Sequence, residues 1–182
     1  MATATAEPRL FSKGSKPPDA GLAASSTDPR SGKYLTFRLA REEFAIQVLR
    51  VREIMGMQDI TAVPQTPHFM KGVINLRGKI VPVIDLRLKF GFPEVEATPA
   101  TCIIVVQLQS GKETLLMGLL VDAVSEVLNF AASDIEDTPD FGQGVSTPYL
   151  LGIAKMKDSV KILLNIDEVL STSEVQNLEG VL

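Results

Sequence analysis

Side chains able to do chemistry are few in this 182-residue chain, and their spacing does not suit catalysis. A Ser, Cys or Thr nucleophile needs a base poised near neutrality. The only imidazole is His68, set between Pro67 and Phe69 at a loop edge, where a histidine needs no function. One Cys with one His cannot build a zinc site. Cys102 opens the apolar run Cys102-Ile103-Ile104-Val105-Val106 and reads as a small buried hydrophobe in a reducing compartment. The acids Asp134, Glu136, Asp137 and Asp140 lack the alternate ligands, turn glycine and closing glutamate of a hand-type calcium loop, so they read as a solvated loop. Gly142-Gln143-Gly144 is followed by no phosphate-binding helix, and no Gly-x-x-x-x-Gly-Lys occurs. No catalytic residue, metal or cofactor is expected, and an enzyme would be left with carboxylates alone.

Residue types argue better for recognition. Arg77 stands between Leu76 and Gly78 at a hairpin tip, and a guanidinium fork on an apolar stem suits an interface anchor. Val51, Val124 and Val127 lie in short segments joining strands, where core packing is the first expectation and a groove between lobes the second. Glu53 and Glu126 fall beside them. Lys155, Lys157 and Lys161 flank the last hairpin, where they keep it soluble and blunt a sheet edge. A β-barrel nucleic-acid binder is a remote alternative: 18 Lys and Arg against 22 Asp and Glu give a net charge of −4, opposite to what a phosphate-backbone binder needs.

These residues must be positioned by strands. Residues 1–32, rich in Pro, Gly, Ser and Ala without apolar periodicity, read as a disordered tail. Leu35, Phe37 and Leu39 then alternate with Tyr34, Thr36 and Arg38, and Phe44, Ile46 and Val48 with Ala45 and Gln47, which makes a hairpin closed around Ala40 to Glu43. Val48, Val51 and Met55 show a short helical spacing. Gly72 to Leu76 pairs with Lys79 to Ile84 across an Arg77-Gly78 turn, and Asp85 caps a short helix, Leu86 to Phe90. Cys102 to Leu108 and Thr114 to Val121 form another hairpin. Residues 167–178 read as a helix that starts from a capping residue. No apolar run approaches the ~18 residues of a membrane span, and no leader is evident, so no direct membrane insertion is expected.

The chain repeats its own syntax. Val51-Arg52-Glu53-Ile54 matches Val124-Ser125-Glu126-Val127, Asp59-Ile60 matches Asp134-Ile135, Gly72 matches Gly152, and Ile84-Asp85 matches Ile166-Asp167. The ordered anchors imply a duplicated β unit forming two small, similar barrels or rolled sheets.

Lys71-Gly72-Val73-Ile74-Asn75-Leu76-Arg77-Gly78, followed by Ile80-Val81-Pro82-Val83-Ile84-Asp85-Leu86-Arg87, resembles the CheW family of bacterial chemotaxis coupling proteins. The resemblance continues through Gly118 to Asp122, Val124 to Leu128 and Leu163 to Asp167, covering nearly everything after residue 33. It implies a mainly β fold: two five-stranded SH3-like β-barrel subdomains over residues 33–178 with short helices, a C-terminal helix and a C-terminal tail at 179–182. It also implies a non-catalytic adaptor joining methyl-accepting chemotaxis receptors to the regulatory domain of the histidine kinase CheA. The setting would be cytoplasmic, at the inner face of the membrane in receptor arrays. A coupling protein of a pilus or other chemosensory pathway is the neighbouring alternative. Residue by residue, Val51, Glu53, Arg77, Val124 and Val127 match receptor-binding positions, and Leu35, Val48 and Val51 match the main kinase contact. Phe141 matches a second, array-forming kinase contact, although Glu136 stands where the family favours a basic residue.

Overall fold

The computed structural model describes residues 28–142 and 146–180; the expectations for the earlier tail, for Gln143-Gly144 and for the last two residues lie outside them. Strands β1 (Gly32–Leu39) and β2 (Glu42–Gln47) form the first hairpin, turning at Ala40 and Arg41. A single 3-10 turn, Val48–Arg50, leads into β3 (Val51–Gly56). The helical spacing of Val48, Val51 and Met55 is thus overturned: β-branched residues at this junction are drawn into a strand by pairing with β6 (Cys102–Ser110). Strands β4 (Met70–Leu76) and β5 (Lys79–Asp85) make the expected hairpin. Helix α1 (Leu86–Lys89) follows, capped by Asp85, whose carboxylate accepts from the amides of Arg87 at 2.8 Å and Leu88 at 3.3 Å. Burial pushes the Asp85 carboxyl up, opposed by those two amides.

The second repeat supplies β6, β7 (Glu113–Val121), β8 (Ala123–Phe130), the short β9 (Ile135–Glu136), β10 (Leu150–Lys155) and β11 (Val160–Leu164). Helix α2 (Thr172–Glu179) closes the fold. It starts later than the sequence predicts, because Asn165 caps a separate 3-10 turn over Ile166–Glu168, while Ser171 and Glu174 form the capping box of α2.

The strands assemble into two sheets. The first runs β8-β1-β2-β11-β10-β9 and the second β3-β6-β7-β5-β4. Within each, the two hairpins meet at one parallel seam, β2 with β11 and β5 with β7. Neither sheet comes from one repeat. β3 leaves β1 and β2 to pair with β6, and β8 leaves β6 and β7 to pair with β1, so the repeats are interlaced. Both crossing strands carry a register shift at the matched position, at Val51/Glu53 and opposite Leu35/Phe37.

Interlacing leaves each sheet apolar on both faces. Leu35, Phe37, Ile104, Val106, Leu119 and Leu164 belong to a central core shared by the two sheets. The alternate residues line smaller cores: Tyr34, Ala45, Ile135 and Leu163 in the first lobe, and Ile74, Val83, Ile103 and Val105 in the second. Thr36 is buried among them and satisfied, its hydroxyl donating to the Glu126 carbonyl at 2.8 Å and accepting from the Glu126 amide at 3.1 Å.

The paired glycines explain themselves here. Thr61 makes an isolated antiparallel bridge to Val73, and Glu136 in β9 pairs with Ile153. At Gly72, whose φ is +139°, a Cβ would collide with the Thr61 carbonyl; at Gly152 it would stand 2.8 Å from the Glu136 carbonyl. Each repeat needs glycine where the preceding chain crosses over the first strand of its second hairpin, β4 or β10. Lys161, expected in solvent, is instead only 6% exposed and ion-paired with Glu43, because β11 lies inside the sheet rather than at its edge.

Candidate docking surface

Arg77 and Gly78 form the two-residue turn between β4 and β5, with φ of +51° and +85°. Positive φ at both central positions matches the right-handed twist of a two-residue hairpin, and the Asn75 side chain fixes the turn by accepting from the Gly78 amide at 2.8 Å. The tip reaches the edge strand β3, where Arg77 donates to the Glu53 carboxylate at 2.8 Å. Arg77 remains 78% exposed at its side chain and Glu53 28%, so the pair sets direction more than stability. Thus the structure brings Glu53 and Arg77 together, although they lie on opposite edges of the second sheet.

Val51 and Val124 occupy matched places on the two crossing strands and are half-buried against the central core. Val127 departs from the core expectation: it is 53% exposed on the edge strand β8. Glu126 also faces solvent, with its backbone held by Thr36. Val48 is half-buried on the 3-10 turn and packs against the same core cluster as Leu35. Leu35 itself is 3% exposed on an interior strand, its side chain packed in the central core beneath that face. Phe141 is 55% exposed, and Glu136 pairs with Lys155 at 2.6 Å on the surface.

Sequence reasoning missed Leu49 and Ile54, which are 89% and 45% exposed. The signal was present in Leu49, an apolar residue lying off the stripe formed by Val48, Val51 and Met55. Reading that stripe as a helix left Leu49 without a role.

Among the described residues no group of three or more His, Cys, Asp or Glu is placed to hold a metal, and no helix is long and apolar enough to cross a membrane. The fold and this surface define a two-lobed β module that displays Arg77, Val127 and Phe141 to solvent. Residues 33–174 match the CheW-like domain, and the chain belongs to the CheW family of non-catalytic chemotaxis scaffold proteins. It is 39% identical to the chemotaxis protein CheW of Klebsiella aerogenes, over 89% of this chain and 97% of that one. Identity with the chemotaxis protein CheW of Rhizobium meliloti is 34%, over 78% and 89%. Among solved structures, the scaffolding protein TtCheW from Thermoanaerobacter tengcongensis superposes with a TM-score of 0.70 at 34% identity, covering 79% of this chain and 95% of that one.

Proposed function

We propose that this chemotaxis scaffold couples methyl-accepting receptors to the histidine kinase CheA in the cytoplasm, beside the membrane that carries the receptors. The observation that carries the reading is the Arg77–Glu53 contact on β3, two residues along from Val51: a charged fork tied to the strand that also carries a half-buried apolar residue. A receptor helix bundle offers the complement, an apolar ridge with polar flanks. In this reading Val51, Val124 and Val127 receive the ridge, while Arg77 and Glu53 fix its register. The kinase takes the face around Val48 and Val51, and Phe141 serves a second contact. No bond is made or broken; the protein acts by holding two partners in one geometry.

Interfaces of ordinary size bury on the order of 800 Å² per partner and concentrate their energy in a few anchors. Arg77→Ala should therefore weaken receptor binding by about 2 kcal/mol, roughly thirtyfold, with kinase binding retained. Titration calorimetry against a soluble receptor tip fragment and the kinase regulatory domain measures both. Unchanged receptor affinity removes Arg77 from the site, and binding to neither partner refutes the coupling role.

A further inference from the structure

Between the β1–β2 turn, helix α1 and the segment that leads to β6 lie two cavities of about 220 and 470 Å³, which share Arg87, Val95, Glu96, Thr101 and Asp122 and so form one cleft. Its wider part is lined by Arg38, Arg41 and Arg87. Arg38 and Arg41 bracket the turn, are exposed, and bond through their guanidinium groups to no described residue. Arg87 is only 8% exposed, with Nε donating to the Pro93 carbonyl at 3.0 Å and Nη1 to the Asp122 carboxylate. Its remaining nitrogen, Nη2, bonds to no described residue. Among the described residues no buried side-chain nitrogen lacks a partner, so Nη2 opens onto the cleft. A largely buried guanidinium with donors unused attracts an oxyanion more strongly than one in bulk water.

The acids along the cleft are mostly engaged. Asp85 caps α1 through Oδ1, and Asp122 Oδ2 accepts from Arg87 and from the Ala40 amide at 2.7 Å. Only Glu96 is without a partner among the described residues. The wider part thus sets three arginines against Asp122 and Glu96, in a chain whose net charge is −4. On its far wall, Thr101 Oγ1 accepts from the Thr98 amide at 2.8 Å and Thr98 Oγ1 from the Ala100 amide at 3.2 Å, which leaves hydroxyl hydrogens to donate. The narrower part is apolar in Leu120, Val121, Met57 and Val95, of which Met57 is 42% exposed and Val95 54%.

We infer that this cleft binds a small organic phosphate monoester, its phosphoryl oxygens among Arg38, Arg41 and Arg87 and its apolar body on Val95 and Met57. A monoester presents three terminal oxygens and a charge of about −1.5 to −2 at neutral pH, which three guanidinium groups match; a carboxylate offers fewer oxygens and less charge. The wider cavity alone, at about 470 Å³, falls within the ~300–1,000 Å³ of small-molecule sites. The site draws on neither the receptor nor the kinase reading.

Titration of the full chain with phenyl phosphate at fixed ionic strength, followed by amide NMR shifts, tests the site. A ligand of this size should bind with a Kd on the order of 1 mM and give saturable shifts at Ala40, Arg41, Thr98 and Thr101. An Arg38→Gln/Arg41→Gln double variant, altered only at exposed side chains, should bind about tenfold more weakly, and Glu96→Gln about twofold more tightly. Val95→Ser should weaken phenyl phosphate about threefold and leave inorganic phosphate unaffected. No saturable shift, shifts reproduced by chloride, or equal binding by the double variant overturns the site. Weaker binding by Glu96→Gln overturns the placement of the anion, and inorganic phosphate binding as tightly as phenyl phosphate overturns the monoester assignment.

Discussion

Arg77 holds a left-handed backbone conformation that L side chains other than Asn and Asp rarely adopt, and its ion pair with Glu53 is too exposed to repay that cost. A residue kept against its own local preference points to use rather than stability. Arg77→Gly should accordingly leave the unfolding free energy unchanged or raise it by up to about 1 kcal/mol, while receptor binding falls at least tenfold. Denaturant unfolding and calorimetry on the same preparation separate the two effects, and parallel losses would make Arg77 merely structural. Gly72 is the opposite case. A methyl group there meets backbone rather than a yielding side chain, so Gly72→Ala should cost about 3 kcal/mol or more, read as a drop in melting temperature. Both positions could be marked from the sequence, Arg77 as a tip and Gly72 as one of a repeated pair. The reason for Gly72, a carbonyl crossing from Thr61, could not.

At the scale of elements, α2 is held by Leu178 and Val175 on the core and by the Lys89–Glu174 ion pair at 2.6 Å, with Lys89 also 4.4 Å from the centre of the Phe69 ring. Burial pushes the Glu174 carboxyl up, but the Lys89 ammonium and the Ser171 amide and hydroxyl outweigh it and hold the group below its ordinary value of 4.5. A depressed folded-state value means that stabilisation is present above 4.5 and is lost as pH falls through the lowered value. Hydrogen exchange in α2 should therefore rise selectively below pH 4.5, and Glu174→Gln should already show that faster exchange at neutral pH. Equal protection of the variant and wild type at pH 7 would show that apolar packing alone holds α2. The sequence marked this helix but started it early. Asp167 looked like a cap, yet its carboxylate accepts from the Gln109 amide at 2.8 Å and pairs with Arg50, stitching the C-terminal segment to β6 and to the 3-10 turn after β2.

For the whole molecule, interlacing governs stability. Beyond their own hairpin, β1 and β2 pair only with β8 and β11, and β6 and β7 only with β3 and β5, so no lobe can form from one repeat. Residues 28–98 expressed alone should stay unfolded, and mixing them with residues 99–182 should recover the strand signal by circular dichroism. Independent folding of the first fragment would refute the dependence. The intact chain should unfold in one transition, since the central core draws on both sheets.

The amino-acid sequence by itself determined the hairpins, the Asp85 cap, the duplicated syntax and the display of Arg77, because alternation, capping and turn chemistry act between residues close along the chain. Only the tertiary structure decided that the repeats exchange β3 and β8. The same exchange turns Leu35 inward and leaves Val127 and Leu49 in water, buries Lys161, and brings Glu53 to Arg77. Those outcomes depend on which distant strand supplies the missing hydrogen bonds and covers the second apolar face. A local pattern of alternating residues is compatible with more than one such partner.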